Sequence, residues 1–94
     1  MDDELRGRIV AAANVLRECG ATEVYLFGSA AADRMRPESD IDLAVSGLPP
    51  RIFYRAMSRA GAVLRRPLML IDLDEDNRFT RYLKEQEGVL QRVG

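Results

Sequence analysis

Two short apolar runs constrain this chain more than any other feature. The first, Val24-Tyr25-Leu26-Phe27, ends in Gly28-Ser29; the second carries Asp40-Ile41-Asp42 at its start and runs on to Val45. Ten residues separate Ser29 from Asp40. Each run reads as a strand, and side chains alternate faces along a strand. Asp40 and Asp42 are therefore expected on one face, with Ile41, Leu43 and Val45 anchoring the other in a core. Two carboxylates side by side repel each other unless a cation lies between them. Such hard oxygen donors suit Mg²⁺, which is commonly shared between carboxylates and the phosphates of a ligand.

The Gly-Ser pair supplies the complementary half. Gly28 has no side chain, so a phosphate can approach its backbone closely. Ser29 offers a hydroxyl where a helix can begin, at Ala30-Ala31-Ala32-Asp33-Arg34-Met35, and a helix N-terminus attracts anions. A solvated turn and a strand-end acidic pair would be the bland alternative. Both motifs at the ends of apolar runs argue against it.

Gly-Ser, a ten-residue spacer and Asp-x-Asp resemble the signature of the nucleotidyltransferase superfamily of DNA polymerase β. The short chain and the string Ser39-Asp40-Ile41-Asp42-Leu43-Ala44-Val45 are similar to its minimal nucleotidyltransferase (MNT) branch, whose members are often antitoxins paired with HEPN-domain toxins. The resemblance extends from about Val24 to the C-terminus. It implies transfer of a nucleoside monophosphate from a triphosphate, ATP with two Mg²⁺ ions, to a hydroxyl, here a tyrosine of a HEPN-type partner. Gly28 and Ser29 would hold phosphates, and Asp40 and Asp42 the metals.

The family normally adds a third carboxylate on the next core strand, in a string like Val-Asp-Leu-Val-Asp-Leu. Laid without gaps on this chain, that string falls on Leu68-Met69-Leu70-Ile71-Asp72-Leu73, and the usual acid becomes Met69. Asp72 matches the second acid of the string. Three residues on, it points to the opposite face of an ideal strand. Two readings follow. Asp72 turns into the site through a bulge or the strand's end and serves as base or third metal ligand. Otherwise the third carboxylate is missing, and the chain is an impaired enzyme that neutralises a HEPN-type partner by binding alone. The arginines that many MNT proteins carry just after Gly-Ser are replaced by Ala30-Ala31-Ala32-Asp33, leaving Arg34 or Arg36 to compensate.

Composition narrows the chemistry further. The chain has no histidine, which removes the commonest general base, and a single cysteine, Cys19, which excludes an intrachain disulfide. A net charge of −1 gives no general attraction to nucleic acid or anionic membrane. Met1-Asp2-Asp3-Glu4 is too acidic for a secretory leader, and no apolar run reaches membrane-spanning length, so a cytoplasmic protein is expected.

The 94 residues suit one domain, residues 1–94. A first helix capped by Asp2 or Asp3 is expected to stop at Gly20, and strands are expected over Glu23–Phe27, Ile41–Val45 and Leu68–Leu73. A helix starts near Pro50 and ends at Gly61, and another runs from Phe79 to Glu87. Val89–Val93 reads as a tail or a short edge strand. Asp74-Glu75-Asp76-Asn77 reads as a solvated acidic turn whose last residues cap the final helix, and Tyr54 and Tyr82 as helix residues without a role. Alternating helices and strands give an α/β (α+β) class with a small mixed sheet; the nucleotidyltransferase fold is what the resemblance implies for its strand order.

Overall fold

The computed structural model describes residues 2–32, 34 and 39–94. The elements are α1 (Asp3–Glu18), β1 (Glu23–Phe27), α2 (Gly28–Ala31), β2 (Ile41–Ser46), a 3₁₀ turn (Pro50–Ile52), α3 (Phe53–Leu64), β3 (Leu68–Asp72), α4 (Arg78–Glu85) and β4 (Gln91–Arg92). The part of the expected α2 at Asp33 and Met35, and the loop residues Arg36, Pro37 and Glu38, lie outside the described residues.

Local chemistry sets most boundaries. Asp2 caps α1 by accepting the Leu5 N–H at 2.7 Å. Asn77 and Thr80 form a reciprocal capping box at the start of α4, each side chain bonded to the other's backbone N–H. The α3 helix departs from expectation. It runs through Gly61 to Leu64 and is closed by Arg65 in the left-handed region, φ 61°. Leu64 is fully buried, and this packing continues the helix past a residue that only weakly opposes it. Pro50 opens the 3₁₀ turn rather than the α-helix itself.

The sheet has the order β3-β2-β1-β4. β1 pairs antiparallel with β2 and with β4, while β2 and β3 are parallel, joined by the α3 crossover. The mixed sheet is the expected one, and the C-terminal segment supplies a two-residue edge strand. One face carries Val24, Leu26, Ile41, Leu43, Val45 and Leu70, covered by Ile9, Ala12, Ala13 and Leu16 of α1 and Ala56, Ala60 and Leu64 of α3. The alanines let these two helices approach each other and the sheet closely. The opposite face is covered over part of its length: Phe27, Ala44 and Leu73 pack with Leu83 of α4. Asp42 and Met69 lie on this second face, beyond its packed part.

Because Leu43 has no exposed surface and sits between the helices and the sheet, Leu43→Ala is expected to cost about 2–5 kcal/mol. Tyr54→Ala, at a 76% exposed position, should change stability by less than about 0.5 kcal/mol. Urea unfolding followed by circular dichroism compares the two.

Candidate functional site

The β1–β2 register brings the two motifs together. Phe27 stands opposite Asp42, so the chain leaves β1 at Gly28 where the aspartates enter β2. Gly28 adopts φ +73°, a conformation that L side chains rarely take. A Cβ built on it would clash with Asp42 Oδ2 and lie 3.1 Å from Asp42 Cγ. The backbone angle calls for glycine at this position, and the Asp42 carboxylate would have to swing aside for any larger residue.

Asp42 is half-buried at the start of β2, and Asp40 is exposed just before the strand begins. Burial pushes the Asp42 carboxyl above the ordinary carboxylate range, and the nearby negative charge of Asp40 raises it further. The pair is therefore electrostatically unfavourable as it stands, and a cation would relieve it. Carboxylate oxygens suit a hard divalent ion, so the donor chemistry of this pair fits Mg²⁺.

The helix after Gly28-Ser29 is a single turn, Gly28–Ala31, shorter than expected. So short a helix adds little dipole, and an anion placed here would meet individual N–H groups and side chains. A groove of about 580 Å³ opens alongside, lined by Gly28, Ser29, Arg34, Tyr82, Val89 and Gln91 among others. Arg34 donates its backbone N–H to the Ser29 carbonyl at 2.9 Å, which keeps this arginine beside the turn. Arg36, the other arginine considered from the sequence, lies outside the described residues.

Two groove residues were not legible as site residues. Tyr82 is 51% exposed and lines the groove, although its helical position gave no hint of this. Gln91 donates from Nε2 to the Ala31 carbonyl at 2.9 Å and ties β4 to the turn after β1. Sixty residues separate those two partners, so nothing in the local sequence announces the contact.

Asp72 is not brought to the aspartate pair. In the parallel β2–β3 register Met69 stands beside Asp42, whereas Asp72 stands beside Val45 and shares the face of Ile41 and Leu43. β3 contains no bulge that would turn Asp72 around: the register runs unbroken from Leu68 to Asp72. The Asp72 carboxylate instead accepts the Asp74 N–H at 2.9 Å and shapes the turn that follows. Among the described residues no three carboxylates or other ligating side chains cluster as a metal site. Met69 is 49% exposed, so it is not a core methionine.

The acidic turn does structural work. Asp74 accepts the Gly47 N–H at 2.7 Å, and Asp76 pairs with Arg81 at 2.8 Å. The cap of α4 is Asn77, the last residue of this turn, as expected.

The geometry can be set beside known proteins. The sequence profile of the family described as "Polymerase beta, Nucleotidyltransferase" matches residues 13–92. No curated protein matches the chain. Among solved structures, a proposed minimal nucleotidyltransferase is 22% identical, with a TM-score of 0.75, and the alignment covers 100% of this chain and 96% of that one. A toxin–antitoxin crystal structure with AMP-PNP is 25% identical at a TM-score of 0.63, covering 77% of this chain and 60% of that one. A mutant of the toxin–antitoxin pair MntA–HpeT is 22% identical at a TM-score of 0.60, over 73% and 59% of the two chains. The chain thus spans about three-fifths of the length of the two toxin–antitoxin chains it resembles. The fold is the nucleotidyltransferase fold. With the family profile covering the end of α1 and every element from β1 to β4, the chain belongs to the polymerase beta nucleotidyltransferase family.

Proposed function

We propose that this chain is a minimal nucleotidyltransferase domain, residues 1–94, that binds a nucleoside triphosphate with Mg²⁺ and acts as the antitoxin of a HEPN-type toxin. The observation that carries the reading is the approach of Gly28 to Asp42, which joins a side-chain-free turn to a strained carboxylate pair. Gly28 and Ser29 bind the β- and γ-phosphates through backbone N–H groups and the hydroxyl, and Arg34 adds positive charge in the same groove. Asp40 and Asp42 hold the metal, which supplies charge neutralisation along the phosphates when bound. Asp42 then keeps its ionised form because its repulsion from Asp40 is offset.

In the reaction, an acceptor oxygen forms a bond to the α-phosphorus as the bond to the β-phosphate oxygen breaks. Pyrophosphate leaves, and the hydroxyl proton passes to water or to a carboxylate. ATP is the donor by resemblance, and the AMP-PNP of one toxin–antitoxin structure supports an adenine nucleotide. The acceptor is a hydroxyl of the partner, a tyrosine by resemblance to the MNT branch. No helix among the described residues is long and apolar enough to cross a membrane. The cytoplasmic role follows from the proposed use of ATP.

A second reading has its own support. Met69 beside Asp42, with Asp72 on the other face, favours a two-carboxylate site that transfers slowly or only binds. The toxin would then be neutralised by association alone.

Four measurements test these readings. Asp42→Asn should abolish Mg²⁺-dependent ATP binding in calorimetric titration, while Asp76→Asn should leave it within a few-fold. Because the folded-state value of Asp42 lies above its unfolded value, the ionised group burdens the fold at neutral pH, and that burden fades as pH falls. The metal-free Asp42→Asn protein should therefore melt above wild type at pH 7, and the difference should vanish below about pH 4. Equal binding losses at both positions would mean that the cation lies elsewhere.

Gly28→Ala forces a side chain against Asp42 and strains a positive φ. It should destabilise by at least about 1 kcal/mol and remove ATP binding, seen as loss of nucleotide-dependent thermal stabilisation.

Met69→Asp should raise AMP transfer to the partner by up to about 10²-fold, in the range of general-base assistance, and should lower the stability of the metal-free protein by adding a like charge beside Asp42. Asp72→Asn should leave transfer unchanged. Loss of transfer in Asp72→Asn, with no gain in Met69→Asp, would restore Asp72 as the third carboxylate.

A further inference from the structure

The groove beside Gly28 and Ser29 has two unlike walls. One is the motif turn with Arg34, whose backbone N–H is bonded to the Ser29 carbonyl. Among the described residues that line the groove, Arg34 alone is charged. The other wall comes from the end of α4 and the segment that follows it, with Tyr82, Val89 and Gln91. It offers an aromatic ring, an apolar side chain and a carboxamide.

A phosphate chain suits the first wall and not the second. Tyr82 lies in the last turn of α4, and the carbonyls at a helix end carry a partial negative charge. Glu85 in that turn and Glu87 just beyond it add full negative charges. Lys84, the cation of the same turn, donates to the Leu73 carbonyl at 3.2 Å and borders a different groove. Phosphate is therefore repelled here. An uncharged planar ring with polar atoms at its edge is better matched, since its face can cover an aromatic side chain and its edge can meet an amide.

Tyr82 is both presented and held. It is half exposed, and its side chain makes no hydrogen bond, ion pair or ring contact with any described residue. The helix that carries it is fixed on either side. Phe79, one turn earlier, packs edge-on against Phe27 with ring centroids 6.1 Å apart, and Leu83 is buried in the cluster of Phe27, Ala44 and Leu73. Phe27 directly precedes Gly28, so α4 is keyed to the strand that ends in the phosphate turn. Gln91 is held in turn by its bond to the Ala31 carbonyl. A platform set in advance loses little freedom when a ligand arrives.

We propose that this groove takes the base of the nucleoside triphosphate, stacked on Tyr82 with the Gln91 carboxamide at its edge. The base site rests on the nucleotide reading above, in which Gly28, Ser29 and Arg34 hold the phosphates. Tyr82 is then the residue that distinguishes a nucleotide from a bare polyphosphate. Every base has a face to stack, and a purine has the larger one, so ATP is favoured over CTP.

Calorimetric titration of the full chain in Mg²⁺ with ATP, CTP and inorganic tripolyphosphate tests it. Tyr82→Ala should weaken ATP binding by about 5- to 100-fold, the range of one base–aromatic stack, and leave tripolyphosphate within about twofold. The preference for ATP over CTP should shrink toward parity in the same variant. Tyr82→Leu, which keeps bulk but loses the aromatic face, should behave likewise, and Tyr82→Phe should bind ATP as wild type does. Arg34→Ala should weaken all three ligands. Equal losses of ATP and tripolyphosphate in Tyr82→Ala and Tyr82→Leu would overturn the proposal, because the ring would then serve the phosphates or the fold. Unchanged ATP affinity in these variants would overturn it too, by putting the base elsewhere. A wild type that binds neither ATP nor tripolyphosphate would overturn the nucleotide reading itself, and the base site with it.

Discussion

The antiparallel pairing of β1 with β2 is the constraint on which the site depends. Its register sets Phe27 against Asp42. The next residue, Gly28, then turns with a positive φ that favours glycine, and the Asp42 carboxylate lies where a Cβ would go. Both motifs are short and individually common, and neither makes a site alone. Joined by a ladder of backbone hydrogen bonds, they become a rigid corner with a glycine turn on one side and a carboxylate pair on the other. The core below holds that corner still: Ile41 and Leu43, on either side of Asp42, have no exposed surface.

The corner is left energetically unfinished. Burial and the charge of Asp40 both work against ionised Asp42. A half-buried carboxylate beside a like charge disfavours its own ionisation, and on the proposed reading a cation would offset that. The third strand does not complete the provision. Parallel pairing sets a thioether, not a carboxylate, next to Asp42, while the nearest acid in sequence, Asp72, is spent on the turn that leads to α4. The half-open second face of the sheet exposes Met69 for the same reason that it exposes Asp42: α4 covers Phe27, Ala44 and Leu73 and goes no further.

Much of this was legible in the sequence because it depends on local rules. The period of two in Asp40-Ile41-Asp42-Leu43 predicted which side chains anchor β2, and Ile41, Leu43 and Val45 are buried. The bounds of β1 follow from its apolar run, and the aspartate cap of α1 follows from the acids that open the chain. Local rules failed where packing outweighed them. Gly61 does not end α3, because Leu64 has a buried seat to fill one turn later. The helix at Gly28–Ala31 is shorter than its alanines suggest. Tyr82 looked idle because helical position says nothing about which groove a helix borders.

By itself the sequence determined the three longer strands, the cap of α1, the nucleotidyltransferase motifs and the family, since these rest on residue type and near-neighbour spacing. Only the tertiary structure decided that Gly28 touches Asp42, that Met69 and not Asp72 stands beside it, that Gln91 braces the turn and that β3 is left as an open edge. Each of these depends on which strand lies next to which and in what register. Pairing of that kind is fixed by the burial of whole faces across distant segments, and no local stretch of residues encodes it.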